Sequence, residues 1–362
     1  MEQKRLEMKN KIYSKQILIS SANLHHNFRI IQKKVGKSKV MGVIKGDGYG
    51  HGMNQTFKTL RKAGCNSFYV ARLDDALELR EINSKCSINL LGGFTTLENI
   101  KTISDNRITP IVNNFDQLVL LKNHPTLKFI LHFDTGMNRL GFKISETQKL
   151  LEQINPKNLL AVISHLTSSD DGDLNGSRMQ LNDLIKINTT FNKPMSIANS
   201  AGIFLDKKFH LNFVRPGKSL YGINPFVRKS FGLKPVMSIY APILQIANVS
   251  KNQTIGYSKT FKAKKSLKVA TIDFGYSDGF LRSGSNQANV YIEKFKCPIV
   301  GRVSMDLITI NVSNVPEKYL YLGKPVEILG PHQSYENIAI QTGTNEHEIL
   351  ISLGKNAKRV YY

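Results

Sequence analysis

Cysteine is scarce in this 362-residue chain, and acidic side chains are heavily outnumbered. The three cysteines, Cys65, Cys86 and Cys297, are an odd number set far apart. That excludes a disulfide framework, and their spacing matches no metal site, so reduced thiols, a cytoplasmic location and no bound metal are expected. No run approaches the ~18 uninterrupted apolar residues of a membrane helix, so no membrane partner is expected either. Met1 to Lys15 is basic but has no apolar core of the secretory-signal kind. Internal repeats, proline-rich linkers and low-complexity segments are also missing. Asp and Glu number 27 against 50 Lys and Arg, a formal charge of +23. Such an excess raises nucleic acid as a partner. The densest clusters are Lys33, Lys34, Lys37 and Lys39, then Lys259, Lys262, Lys264, Lys265 and Lys268. They lack the interleaved aromatics and arginines of a reading surface. A solvated lysine coat is the expectation, with no nucleic acid bound.

The hydrophobic share of 41% is enough for sizeable cores, and the length divided by about 150 residues suggests two domains. Up to residue 230, short β-branched runs alternate with helical patterns. The runs are Val40–Ile44, Ser67–Ala71, Ile88–Leu91, Thr109–Val112, Phe129–Phe133, Leu160–Ile163, Met195–Ala198 and Asn212–Val214. Their near-continuous apolar character suits strands buried on both faces. Helix candidates between them include Ala22–Val35, with Ser21 as N-cap, Asn54–Ala63, Asp74–Ile82, Leu97–Asp105 and Leu174–Phe191. Eight such units in this length fit a closed (β/α)8 TIM-type barrel better than an open sheet. The expected fold is therefore α/β: a barrel over 16–230, then a mainly-β domain over 231–362. Residues 1–15 form an extension expected to join the second domain.

After residue 230 the pattern shifts to runs at Val236–Val249, Leu267–Phe274, Asn289–Val303, Leu307–Val312 and Pro325–Leu329, separated by Gly, Asn and Lys turns. A helical pair is expected at Tyr335–Thr342 and Glu346–Leu353.

The residues that follow the barrel runs are polar or charged: Lys45, Arg72, Asn113, Asp134 with Arg139, His165, Asn199 with Ser200, and Arg215. A barrel collects these strand ends on one face, where barrel enzymes keep their sites. The segment Val43-Ile44-Lys45-Gly46-Asp47-Gly48-Tyr49-Gly50-His51-Gly52 is the sharpest. A lysine ending a buried strand loses hydration, which favours the neutral nucleophilic amine. The alternate glycines would admit close backbone approach to a flat or anionic ligand. Neither the dinucleotide spacing nor a P-loop spacing is present.

This segment resembles the pyridoxal 5'-phosphate attachment site of the alanine racemases, with Gly46 where Ala is usual, and the likeness runs along the whole chain. The resemblance implies that Lys45 carries the cofactor covalently. Within Asn212-Phe213-Val214-Arg215-Pro216-Gly217-Lys218, it implies that Arg215 donates to the pyridine nitrogen. A guanidinium does not surrender its proton at ordinary pH, so the nitrogen stays unprotonated. The phosphate cradle is implied to be Tyr49, Asn199, Ser200, Gly217 and Lys218. Tyr276, in Phe274-Gly275-Tyr276-Ser277-Asp278-Gly279, is implied to be the second base, contributed by the partner subunit of a homodimer and supported by His165. Arg139 is implied to hold the substrate carboxylate, and Met305 and Asp306 to line the substrate pocket.

The chain departs from the family pattern in two places. His132 stands where a carbamylated lysine is common, and no phosphate-contacting tyrosine is evident around Lys355, with Tyr361 and Tyr362 placed later. The activity implied is interconversion of L-alanine and D-alanine, supplying D-alanine for peptidoglycan. Two other readings remain at this point: a related racemase taking serine or a broader set, and a basic nucleic-acid-binding protein.

Overall fold

The computed structural model describes residues 14–226, 230–355 and 358–362. The described residues fall into two units: Asn23–Gly48 with Met53–Lys234, and the residues up to Ala22 with Tyr49–Gly52 and Pro235–Tyr362. The expected extension over 1–15 lies outside the described residues except for its last two.

The first described strand, Gln16–Ile19 (β1), belongs to the second of these units. It pairs antiparallel with Met237–Val249 and parallel with Lys358–Tyr361. The barrel unit therefore begins at Asn23 rather than at residue 16, because the apolar Ile17, Leu18 and Ile19 are buried in the other sheet.

In the barrel unit, Lys39–Val40 (β2) and Gly42–Val43 (β3) form one interrupted strand, broken at Met41. Next come Ser67–Val70 (β4), Ser87–Leu90 (β5), Thr109–Val112 (β6), Phe129–His132 (β7), Leu159–Ile163 (β8), Met195–Ser196 (β9) and Phe213–Val214 (β10). From β3 to β9 the strands make a seven-stranded parallel sheet in sequence order. β10 closes it. On one side Arg215 N donates to Ala198 O at 3.0 Å; on the other Met41 N donates to Val214 O at 2.9 Å and Val43 N to Pro216 O at 3.0 Å. The expected run Met195–Ala198 shortens to two residues in β9, but this bond keeps Ala198 within the ladder.

Helices cover the outside. Ser21–Val35 buries Leu24, Phe28, Ile31 and Val35, one stripe at helical spacing. It starts at Ser21 itself, so the cap position falls one residue earlier than expected. Phe68 packs its ring at a tilt against Phe57 of the helix Met53–Lys62, with centroids 4.8 Å apart. Side-chain caps follow several strands: Thr96 accepts from Asn99 N, Asn114 from Gln117 N, Asp173 from Gly176 N and Asn199 from Gly202 N. All three cysteines are buried and free.

The other unit is built on the 13-residue Met237–Val249 (β11), which pairs with β1 and with the later strands Leu267–Ile272 (β14) and Pro325–Leu329 (β18). Thr254–Ile255 (β12) and Phe261–Lys262 (β13) form a small hairpin. The expected run Asn289–Val303 is instead a hairpin of Asn289–Ile292 (β15) and Phe295–Pro298 (β16). Its turn passes through Glu293 at φ 50°, a left-handed residue that a continuous strand does not accommodate. Ile308–Asn311 (β17) pairs with β14, and Lys358–Tyr361 (β19) completes the order. The helices Tyr335–Thr342 and Glu346–Leu353 form as expected, capped by Ser334 and Asn345.

Candidate active site

Lys45 stands at the end of β3, exposed at the C-terminal ends of the barrel strands. Although the residue as a whole is exposed, protein packed around its amine strips hydration and lowers its pKa, and the Arg139 and Arg215 charges push in the same direction. The free amine is thereby favoured, the form a nucleophile or base needs.

The backbone then takes an unusual course. Gly46, Asp47, Gly48 and Tyr49 follow one another at φ 62°, 52°, 61° and 53°, one turn of left-handed helix. The glycines enter it freely, whereas each side-chain-bearing residue there costs about 1–2 kcal/mol. Part of that cost is offset where Asp47 Oδ1 accepts the Met53 amide at 2.7 Å and caps the next helix. The glycines just beyond were expected to admit a ligand; Gly50 and Gly52 instead admit the chain itself. A Cβ at Gly50 would lie 2.3 Å from Leu350 O, and one at Gly52 would lie 2.1 Å from the Tyr361 hydroxyl. That hydroxyl donates to His51 O at 3.1 Å. Tyr361 thus fastens the Tyr49–Gly52 stretch within its own unit, and the buried Tyr49 ring sits 5.9 Å from His347.

Arg215, just past β10, is buried at 6% exposure. Its Nε donates to Ser196 Oγ at 3.1 Å and its Nη2 to Ser164 O. Among the described residues no carboxylate pairs with it, and burial lowers its pKa. A guanidinium without a counter-charge inside a barrel calls for an acceptor from outside the chain. His165 and His132 lie in the same field. Burial and the Arg215 and Arg139 charges hold His165 well below the ordinary histidine value, and burial with Arg215 brings His132 down to about 4. The Asp134 carboxylate pulls His132 upward but is outweighed; it is also engaged by Lys143 at 2.8 Å and by the amides of Gly136 and Asn138. Arg139 is exposed and makes no hydrogen bond or ion pair among the described residues. Arg72, also at a strand end, is exposed at the start of the helix Leu73–Ile82.

Ser200 opens the helix after β9, behind the Asn199 cap. Its Oγ accepts from Gly217 N at 3.0 Å and Ser219 N at 3.1 Å, which leaves its own hydrogen to be donated elsewhere. The Lys218 side chain is spent on Asp170. The structure therefore brings Lys45, Arg139, His165, Asn199, Ser200, Arg215, Gly217 and Lys218 onto one end of the barrel unit.

Tyr276, Met305 and Asp306 cluster in the other unit. Tyr276 N donates to Ser304 O at 3.0 Å, Ser277 N to Met305 O at 2.9 Å, and the Ser277 hydroxyl to Asp306 Oδ1 at 2.7 Å. Tyr276 is 43% exposed. Sequence reasoning missed Ser164 and Ser196, which hold Arg215, and also Ser219 and Tyr69. A tyrosine inside the otherwise apolar β4 run was the one available signal for Tyr69.

Two family profiles match the chain: "Alanine racemase, N-terminal domain" over residues 19–225 and "Alanine racemase, C-terminal domain" over residues 236–361. The alanine racemase of Rickettsia bellii is 38% identical over 333 residues, covering 89% of this chain and 81% of that protein. That of Rickettsia canadensis is 37% identical over 355 residues, covering 95% and 98%. Among solved structures, alanine racemase from Bartonella henselae with covalently bound pyridoxal phosphate superposes with a TM-score of 0.91 at 32% identity, covering 97% of this chain and 100% of that one. The alanine racemase of Acinetobacter baumannii gives 0.90 at 29% identity over 97% of this chain and 100% of that one.

Proposed function

The chain belongs to the alanine racemase family, and on that premise we propose that it interconverts L-alanine and D-alanine with pyridoxal phosphate as cofactor. The observation that carries this is Arg215, a buried guanidinium with no carboxylate beside it among the described residues, at the strand end next to the one bearing Lys45. The residues fit the cofactor in three respects. Arg215 needs an acceptor, the Ser200 hydroxyl has a hydrogen to donate to a phosphate, and the Lys45 amine is pushed toward its neutral form.

Pyridoxal phosphate, bound through Lys45, supplies the electron sink that makes the α-proton of an amino acid removable. Arg215 would donate to the ring nitrogen and keep it unprotonated, which restrains the sink and disfavours transamination. Tyr49, Asn199, Ser200 and the backbone of Gly217 and Lys218 would hold the phosphate. Arg139, uncommitted among the described residues, would hold the substrate carboxylate.

Racemisation needs a proton removed from one face and returned to the other, so a single base does not suffice. In this reading Lys45 serves the D-enantiomer and Tyr276 the L-enantiomer. A free tyrosine titrates near ~10, so Tyr276 requires help to act as a base, a task assigned to His165. Tyr276, Met305 and Asp306 would be contributed by a second copy of the chain, making the working form a homodimer with a shared site. The same reading places the protein in the cytoplasm, supplying D-alanine for peptidoglycan. No helix among the described residues is long and apolar enough to cross a membrane.

Chiral product analysis with alanine and with serine, beside an absorbance scan, tests the proposal. Lys45→Ala should abolish racemisation and the protein-bound cofactor band. An unchanged cofactor spectrum in that variant refutes the role of Lys45, and turnover of serine in preference to alanine refutes the substrate.

A further inference from the structure

Tyr69 is the one large polar side chain in β4, and nothing in the proposed mechanism uses it. Along this strand Phe68 points outward to Phe57, at 4.8 Å, so Tyr69 faces the barrel interior. It is fully buried, and Arg215 lies over its ring with Cζ 6.0 Å from the centroid. Its backbone pairs with Val43, and its carbonyl accepts the Ile44 amide at 3.0 Å. Tyr69 therefore stands directly beside the strand that ends in Lys45.

Its hydroxyl is buried and has no hydrogen-bond partner among the described residues. Burial raises its pKa to about 12, so it is a neutral donor at any working pH and takes no part as a base. A phenylalanine would make the same ring contact with Arg215 without burying an unpaired hydroxyl. Buried hydroxyls without partners are rare because their desolvation is uncompensated. An acceptor from outside the chain resolves this.

We propose that Tyr69 is a further cofactor-binding residue, its hydroxyl donating a hydrogen bond to an acceptor atom of pyridoxal phosphate bound against Arg215. This rests on the cofactor reading above. Its distinguishing feature is that the hydroxyl is a liability in the empty protein and an asset in the loaded one.

The test compares wild type and Tyr69→Phe, both stripped of cofactor, by equilibrium titration with pyridoxal phosphate followed by absorbance and by thermal melting of the stripped proteins. Tyr69→Phe should bind the cofactor about three- to tenfold more weakly, the worth of one neutral hydrogen bond. The stripped variant should melt about 1–3 °C higher, because an unpaired buried hydroxyl is gone. Equal cofactor affinity in the two proteins overturns the proposal, and the hydroxyl then meets only trapped water. A lower melting temperature or a failure to fold also overturns it, since the hydroxyl then has a partner within the chain. If wild type itself takes up no pyridoxal phosphate, the cofactor reading fails and the role of Tyr69 falls with it.

Discussion

Acidification should weaken the barrel unit through His132, and the size of the effect follows from its surroundings. The Asn113 amide group donates to Ile111 O at 3.1 Å and Leu91 O at 3.3 Å, which turns its oxygen toward His132. His132 Nδ1 must then carry the hydrogen it shares with Asn113 Oδ1 at 2.8 Å, leaving Nε2 bare. Protonating Nε2 would place a charge on a shielded ring near Arg215 and Arg139, and the pKa falls from 6.5 to about 4. The unfolded chain binds this proton near pH 6.5 and the folded one does not until about pH 4, so stability is lost as the pH falls between those values. Above pH 6.5 the group contributes nothing. At pH 5 the loss is about 2 kcal/mol, approaching about 3 kcal/mol near pH 4.

Asp134 acts in a lower window. Its pKa is brought from 3.8 to about 2, chiefly by Lys143 and the Gly136 amide working against burial, so its contribution disappears only below about pH 3.8. His165 shifts in the same direction as His132, so a variant is needed to isolate one ring. His132→Gln keeps a donor for Asn113 and removes the titration. Urea unfolding of the cofactor-free proteins at pH 7 and pH 5, followed by circular dichroism, should show wild type losing about 2 kcal/mol more than the variant across that interval. Equal losses in the two proteins refute the reasoning.

Three further outcomes are expected. Gly279→Ala would place a Cβ 1.9 Å from Ser352 O at φ +92°; a loss of about 3 kcal/mol or more is expected in denaturant titration, and a loss under about 1 kcal/mol would contradict the contact. Lys15→Met would leave the buried Asp278 carboxylate, now 2.7 Å from Lys15 Nζ, with the Gly275 amide as support; a cost of about 2 kcal/mol should appear at pH 7. If Tyr276 acts across a dimer, Lys45→Ala and Tyr276→Phe should each lack racemase activity alone, and mixing them after joint refolding should restore about a quarter of the wild-type rate, the share of sites with both wild-type bases under random pairing. No recovery despite confirmed mixed dimers would place both bases on one chain.

Much of the barrel was legible because its signals are local. A strand buried on both faces reads as an apolar run, and Thr109–Val112 falls where the sequence places it. The helix Leu97–Asp105 and the final helical pair do so for the same reason: their periodicity and their caps at Thr96, Ser334 and Asn345 lie within a few residues. The misplaced features depend on distant partners. β1 reads as barrel, yet its apolar side chains are taken up by Met237–Val249. Gly50 and Gly52 read as room for a ligand until Leu350 and Tyr361 occupy that space.

By itself the sequence determined most of the barrel strands and helices, a change to β structure beyond about residue 230, and Lys45 as a strand-end nucleophile, because residue type and near-neighbour spacing carry that information; Arg215 and Tyr276 became candidates through the resemblance of their segments to the alanine racemases. Only the tertiary structure decided that, among the described residues, Arg215 is buried without a carboxylate and Tyr69 lies beneath it with an unpaired hydroxyl, and that Asn113 selects the tautomer of His132. These are properties of groups tens of residues apart in the chain. Burial, charge repulsion and hydrogen-bond direction depend on what surrounds a group, and the surroundings exist only once the sheet has closed.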